Sequence, residues 1–191
     1  MTQRTDETKR IKRVADLMCS GHSCLRDRFA RRALILDVAI LSLSVWLTGL
    51  AFASEELARS ISPSAMKPQA WLGVLGVATF ILSIVQLKTD WKAKADAYNR
   101  ASEQFSEVKR EARLALLDEQ VSEEEFRKVL SRNDIAAAAT VKIPESDFLV
   151  LKQRHQSKVE ISKYLDEHPF ASVLLVRLRF WMRENLRIGE E

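Results

Sequence analysis

Glycine, proline and cysteine are scarce in this chain of 191 residues, which contains 5 Gly, 4 Pro and 2 Cys. The tight turns of β-sandwiches and barrels, and the loops of Gly-rich nucleotide-binding sheets, depend on glycine and proline. These folds are hard to build from such a composition, and the dominance of helix-forming residues predicts an all-α fold. The length suits one medium-sized domain and is too short for two ordinary enzyme domains.

Sequence motifs of catalysis and metal binding are also missing. The chain has no GxGxxG, Walker loop, HExxH, GxSxG or paired CxxC, and its 3 His residues define no triad. Cys19 and Cys24 flank His22 in CSGHSC, but no other Cys or nearby His supplies a fourth metal ligand. A bend centred on Gly21 is the simpler interpretation of this segment. We therefore expect no enzymatic activity, no catalytic residue, no metal and no cofactor.

Two long apolar runs stand between charged stretches. Residues 33–53, ALILDVAILSLSVWLTGLAFA, carry Asp37 as their single charge, and residues 70–87, AWLGVLGVATFILSIVQL, carry none. As helices these runs reach about 30 and 27 Å, close to the ~30 Å hydrocarbon core of a bilayer. They predict transmembrane helices one and two, joined by a connector at 54–69. The alternative is a buried pair in a soluble bundle, for which the chain has few other apolar residues.

Basic residues predict the orientation of these two spans. Residues 1–32 hold 9 Lys or Arg and 4 acidic residues, whereas the connector holds two of each sign. By the positive-inside rule both termini are cytoplasmic and the connector is external. The basic residues closest to the membrane surface are Arg26, Arg28, Arg31 and Arg32 before span one, and Lys88, Lys92 and Lys94 after span two. Because residues 88–191 hold 19 bases and 19 acids, the N-terminal cluster suits anionic lipids better than a nucleic acid.

The segments 1–32 and 88–191 are expected to form a cytoplasmic helical domain. One helix should start near Thr5 and end near Gly21, and a second should start near Ser23 and enter span one. Span two should continue unbroken to about Leu117, because apolar residues recur alternately every four and three positions. That seam consists of Trp91, Ala95, Tyr98, Ser102, Phe105, Lys109, Ala112 and Leu116. It should pack on a neighbouring helix.

Three shorter helices should complete the cytoplasmic domain. Ser122 and Glu125 have the spacing of a capping box, which predicts a helix start. Another helix should begin near Glu145 and stop at His168. The last, at 170–186, combines apolar residues with arginines, so it either lies flat on the inner leaflet or docks on the cytoplasmic helices.

Each span carries one line of polar or small residues. At about 100° per residue, Asp37, Ser44, Thr48 and Glu55 fall within roughly 40° of one another on span one. On span two, Gly76, Thr79, Ser83, Gln86 and Asp90 fall within roughly 80°. Several copies could use such lines to form a pore, with one line facing water and the other mediating helix contacts. The lines could instead meet inside each hairpin, with Asp37 paired to a juxtamembrane Arg. Poor satisfaction of these groups in lipid predicts a homo-oligomer.

Three stretches of the chain resemble the SLATT family, two-span effectors associated with SMODS nucleotidyltransferases and SLOG sensor domains. They are LRDRFARRALILDVAILSLSVW, WKAKADAYNRASEQFSEVKREAR and IPESDFLVLKQRHQSKVEISKYLDEHPF. The resemblance covers roughly residues 20–185 and rests on the order of the segments and their general residue pattern. It implies a bacterial inner-membrane effector of antiphage defence, which assembles into a pore or disrupts the membrane after a nucleotide signal. It implies no catalytic residue, and it leaves open whether the trigger is a nucleotide or a partner protein.

The sequence therefore favours an oligomeric pore-forming effector, and the rival is a non-conducting membrane anchor that recruits a cytoplasmic partner.

The topology is directly testable in a chain with Cys19 and Cys24 replaced by serine. A single cysteine at Ser62 should react with a membrane-impermeant thiol reagent in intact cells, because the connector is expected outside. Protection of position 62 together with labelling of the termini would reverse the orientation.

Overall fold

The described part of the chain is helical throughout. The computed structural model describes residues 3–63, 67–118 and 120–186, without the side chains of residues 55 and 58, and contains no strand within those ranges. In chain order the helices are α1 (Gln3–Phe52), α2 (Glu55–Ile61), α3 (Pro68–Thr89), α4 (Trp91–Ala115), α5 (Glu123–Ala139), α6 (Glu145–Glu167) and α7 (Val173–Asn185). The all-α prediction is confirmed.

Helix α1 passes through the position where the sequence predicted a bend. It is continuous over 50 residues, so the prediction of two helices divided near Gly21 is wrong. A Cβ placed on Gly21 would lie 3.0 Å from the Ile143 Cδ1 atom and 3.8 Å from Leu151 Cδ1. Glycine therefore serves here to let neighbouring side chains approach the backbone closely.

The predicted unbroken helix after span two is interrupted at one residue. Asp90 separates α3 from α4 and has left-handed backbone angles, φ 42° and ψ 52°. The i to i−4 hydrogen bonds continue on both sides, from Asp90 N–H to Gln86 O and from Lys94 N–H to Asp90 O. The Asp90 side chain accepts a hydrogen bond from Ala93 N–H, at 3.3 Å, at the start of α4. The predicted helix is thus interrupted at Asp90, and α3 and α4 on either side of it cover the rest of 68–115.

Helices α1 and α3 are long and apolar enough to cross a membrane. Within the most apolar 18-residue stretch of each span, only 17% and 6% of the residues are buried. The core helix of a soluble bundle would be mostly covered, so this exposure argues against the soluble alternative. The large exposed side chains include Leu34, Val38, Leu41, Val45, Val77, Phe80, Ile81 and Ile84.

The chain divides into two compact units, of which one is Ser23–Ala101. Within it, α1 runs antiparallel to α3 and to the first turns of α4. The Phe29 and Tyr98 rings stack with centroids 5.5 Å apart, and Arg26 donates a hydrogen bond to Asn99 at 3.1 Å. This unit holds both apolar spans.

The second unit combines Met1–His22 with Ser102–Glu191. Its core contains Ile11, Ala15, Phe105, Val108, Ala112, Val121, Val129 and Ala136. The two polar positions of the predicted seam have partners on α1, since Ser102 Oγ donates to Cys19 O at 3.3 Å and Lys109 pairs with Asp16 at 2.6 Å. Tyr98, Ser102, Phe105 and Ala112 are all buried, so the seam is confirmed as a packing surface.

The remaining helices follow the predicted start and stop signals closely. The capping box is present, with Glu125 N–H donating to Ser122 Oγ and Ser122 N–H donating to the Glu125 carboxylate. Helix α6 begins at Glu145 as expected and ends beside His168. The last helix begins at Val173, three residues later than predicted.

Helix α7 docks on α6 with one face and leaves the opposite face uncovered. Val176 is buried, the Phe180 ring meets the Tyr164 ring edge-on, and Arg179 donates a hydrogen bond to the Tyr164 hydroxyl at 3.2 Å. Leu174, Leu175, Leu178 and Trp181 remain exposed. The docking alternative therefore describes one side of the helix, and an apolar surface remains on the other.

Burial of His22 predicts that acid destabilises the second unit. The side chain is 2% exposed and stacks on Phe105, and desolvation lowers its pKa below the ordinary 6.5. The unfolded chain then binds a proton more readily than the folded chain, so the free energy of unfolding falls as the pH drops below about 6.5. Thermal unfolding in mild detergent on both sides of pH 6.5 measures this effect. His22→Gln should flatten the pH dependence, and the control His168→Gln, at an exposed position, should not.

Candidate functional site: the polar side of the hairpin

Asp37 on α1 is joined to the end of α3 and to the start of α4. Its Oδ1 atom accepts a hydrogen bond from Gln86 Nε2 at 2.5 Å, and its Oδ2 atom lies 2.7 Å from Lys92 Nζ. Gln86 belongs to α3 and Lys92 to α4, so one carboxylate on α1 connects all three helices. The juxtamembrane base that pairs with Asp37 is thus Lys92, where the sequence suggested an arginine.

A small recess surrounds this carboxylate. It is lined by Ala33, Leu36, Asp37, Gln86, Thr89, Asp90, Trp91 and Lys92. The Asp37 side chain is 31% exposed and that of Lys92 is 67% exposed. An ion pair this accessible to water contributes only about 0–1 kcal/mol to stability. Its importance is geometric, because it places one positive and one negative group at the same end of the hairpin.

The two polar lines lie on the same side of the hairpin. Asp37 contacts Gln86, and ten residues further along α1 the Leu47 side chain lies beside Gly76, ten residues before Gln86, at 3.8 Å from a Cβ placed there. This register brings Ser44 and Thr79 to the same level. Because each line stays within a narrow angle on its helix, joining them at Asp37 and Gln86 keeps both on one side. We call Asp37, Ser44, Thr48, Gly76, Thr79, Ser83 and Gln86 the polar side.

Hydroxyl groups on the polar side already have hydrogen-bond acceptors within their own helices. Ser44 donates to Ile40 O and Thr48 to Ser44 O, each at 2.8 Å. Thr79 donates to Leu75 O and Ser83 to Thr79 O, each at 2.9 Å. Such i−4 bonds are common in membrane helices and satisfy the hydroxyl proton without a second chain. The expectation that these hydroxyls need self-association for lack of an acceptor is therefore revised.

The polar side stays open within the hairpin. Ser44, Gly76 and Thr79 are half-buried, whereas Thr48, Ser83 and Gln86 are exposed. The two lines thus meet at Asp37 and Gln86, and Thr48 and Ser83 remain uncovered along them. Their hydroxyl oxygens retain acceptor capacity toward water or another subunit.

The remaining predicted site residues flank this surface or lie beyond it. Arg26 and Arg28 are half-buried, Arg31 donates to Asp27 O at 3.2 Å, and the Arg32 guanidinium lies 5.8 Å from the Phe29 ring centre. Lys88, Lys92 and Lys94 are exposed and follow the second apolar run, which ends at residue 87. The Glu55 side chain lies outside the described residues.

His155 has neighbours of the types found in a Ser-His-Asp catalytic triad. Its Nδ1 atom is 3.0 Å from Ser20 Oγ, and its Nε2 atom is 3.9 Å from the Asp16 carboxylate. Asp16 is held by Lys109 at 2.6 Å, and Ser20 lies within the continuous helix α1. A catalytic serine needs donors for a developing oxyanion, and inside a helix the backbone N–H groups bond to preceding carbonyls. These contacts therefore describe a packing histidine.

Two features of the site could not be predicted from the sequence. Lys92 was expected only as a membrane-surface base, and its pairing with Asp37 depends on the antiparallel register, which no local pattern states. The left-handed conformation of Asp90 gives no periodic signal either. Within the described residues no three His, Cys, Asp or Glu side chains are placed to hold a metal ion.

Comparison of the chain with protein-family models, curated proteins and solved structures gives no match. The chemistry of the site must therefore be inferred from the chain itself. The polar side contains weak hydrogen-bonding groups and one ion pair, which suit water and ions better than covalent chemistry.

Thiol reactivity should distinguish a polar side that faces water from one sealed by protein. Thr48→Cys and Ser83→Cys, in a chain without Cys19 and Cys24, should react with a small water-soluble thiol reagent, because the reactive thiolate forms only where water reaches. Matched controls are Val45→Cys and Val77→Cys, which are exposed in the single chain but lie on its apolar surface. Mass spectrometry of membranes treated with the reagent gives the labelled fraction. Equal labelling at all four positions would contradict a water-facing polar side.

Proposed function

We propose that the chain is an oligomeric membrane effector of a bacterial antiphage defence system. It forms a pore in the inner membrane, or disrupts that membrane, when a nucleotide signal or a partner protein triggers it. The observation that carries this proposal is the uncovered polar side of a hairpin whose other exposed surfaces are apolar. A single hairpin cannot enclose water, so conduction requires several copies with their polar sides turned inward.

Energetically, the hydroxyl groups are better suited to lining a water path than to holding two helices together. An interhelical hydrogen bond in a membrane contributes only ~0.6 kcal/mol on average. The hydroxyls of Thr48 and Ser83 already donate within their helices, so a second chain adds little by bonding to them. Water in a shared path would use the same acceptor capacity, and the apolar surfaces would remain in contact with lipid.

Charge at the inner end supplies a further argument for ion conduction. One Asp37 and one Lys92 per subunit would surround the cytoplasmic mouth of an oligomer, 2.7 Å apart within each chain. Rings of charged side chains control which ions enter a pore. The balance between the two groups would then set the preference for cations or anions.

Basic residues and the family resemblance support the cellular setting. Arg26, Arg28, Arg31 and Arg32, which precede span one directly on the continuous helix α1, suit the anionic inner leaflet. The similarity to SLATT effectors supports a role in antiphage defence. Membrane lipids and further copies of the chain are the expected partners, together with a nucleotide second messenger or a nucleotide-signalling protein.

The exposed face of α7 favours the alternative, a non-conducting anchor. Leu174, Leu178 and Trp181 offer an apolar surface to a cytoplasmic protein. An anchor would recruit that protein without changing the membrane potential. A dimer in mild detergent and in nanodiscs would support an anchor, and a larger ring would support the pore.

Recording the membrane potential after induction tests the proposal. The wild-type chain, expressed with its genetic neighbours and triggered by infection, should depolarise cells, while an inserted but non-conducting chain would support the anchor.

In reconstituted membranes Asp37→Asn should lower the preference for cations, because it removes a negative group and leaves Lys92. Lys92→Gln should raise that preference for the opposite reason. Identical reversal potentials for both variants and the wild type, in oligomers of the same size, would exclude Asp37 from the conducting path.

A further inference from the structure

An apolar groove runs along span one, away from the polar side, and we propose that it binds one acyl chain of an outer-leaflet phospholipid. Its principal lining residues are Leu41, Val45, Trp46 and Gly49 of α1, and Leu57 and Ile61 of α2. The groove has a volume of about 610 Å³, within the ~300–1,000 Å³ range of small-ligand pockets. Ser42 supplies the one polar side chain of the lining. The proposal rests on the membrane insertion in the proposed function and does not require conduction.

The length and position of the groove argue for an acyl chain. On α1 it extends from Leu41 to Ala53, a rise of about 18 Å. Span one covers residues 33–53, so the groove begins close to the middle of the span and ends at its outer end. Half of a ~30 Å hydrocarbon core is about 15 Å, which is the depth of one leaflet. One acyl chain of a single leaflet therefore matches the groove in length and in depth.

Direction on the helix separates the groove from the polar side. At about 100° per residue, the groove residues of α1 are centred roughly 130° from the line of Asp37, Ser44 and Thr48. In an oligomer whose polar sides face inward, the groove therefore faces away from the water path, toward lipid. Exposed side chains such as Leu41 and Val45, 64% and 65% exposed, present the same apolar surface.

Helix α2 closes the outer end of the groove. Leu57 and Ile61, one helical turn apart on α2, line the groove, and both side chains are exposed. Arg59, in the last turn of α2, lies about 180° around that helix from Leu57 and Ile61 and does not line the groove.

Gly49 makes the proposal testable without damage to the fold. A Cβ placed on Gly49 meets no atom within 4 Å, so Gly49→Leu fills the groove and removes no internal contact. Gly73 on α3 also has open space within 4 Å and does not line the groove. Gly73→Leu is therefore a matched control, with the same change in volume and in helix preference.

The experiment is native mass spectrometry of the full chain, extracted from membranes into mild detergent and delipidated to a constant level. Wild type and Gly73→Leu should retain one phospholipid per chain, and Gly49→Leu should lose it. Addition of a phospholipid with two saturated chains should restore binding to the first two proteins alone. Equal lipid retention by all three proteins would overturn the proposal. A change in subunit number for Gly49→Leu, at unchanged lipid retention, would assign the groove to a second copy instead.

Measurements of membrane potential in the same three proteins keep this proposal separate from the proposed function. Retained lipid in a protein that never depolarises membranes would leave the groove site intact and reject the pore. Depolarisation by a wild-type chain that retains no lipid would support the pore and reject the groove site.

Discussion

The hydrogen bond from Gln86 to Asp37 fixes the side of the hairpin on which the polar groups lie. Each helix alone determines only an angular position for its own polar line. Once Asp37 and Gln86 are joined, the antiparallel register brings Ser44 level with Thr79 and leaves one continuous polar side. Lys92 adds a positive group at the same end, so the hairpin has a polar side, one charged end at Asp37 and an apolar remainder.

The balance of weak interactions on this surface explains why it can remain open. Serine and threonine in membrane helices usually donate to the carbonyl four residues earlier, and all four hydroxyls of the polar side do so. Little free energy is then gained by burying them against a second helix. The charged groups, Asp37 and Lys92, lie at one end of the hairpin, and both side chains are partly exposed. The structure therefore combines an apolar exterior with a surface that tolerates water at low cost.

Periodic features were predictable from the sequence, and contacts between distant residues were not. The seam from Trp91 to Leu116 follows from a repeat of apolar residues, and the helix start at Ser122 follows from a local hydrogen-bond pattern. Gly21 was misinterpreted because its role is a close approach by Ile143, far along the chain. Lys92 and Asp37 are 55 positions apart, so their pairing required the register of the whole hairpin. The polar lines themselves follow from spacing, but their common side depends on the contact between Asp37 and Gln86.

The left-handed conformation of Asp90 has a consequence for how the chain can vary. An exposed residue on a helix surface normally accepts most substitutions, since it touches little. At φ 42° a side chain with a Cβ branch collides with its own backbone, and only Gly, Asn and Asp adopt such angles readily. Among these three, Asp and Asn can also accept the hydrogen bond from Ala93 N–H. Position 90 is thus open to solvent yet restricted to a very small set of amino acids, and neutral drift across this junction should be slower than its exposure suggests.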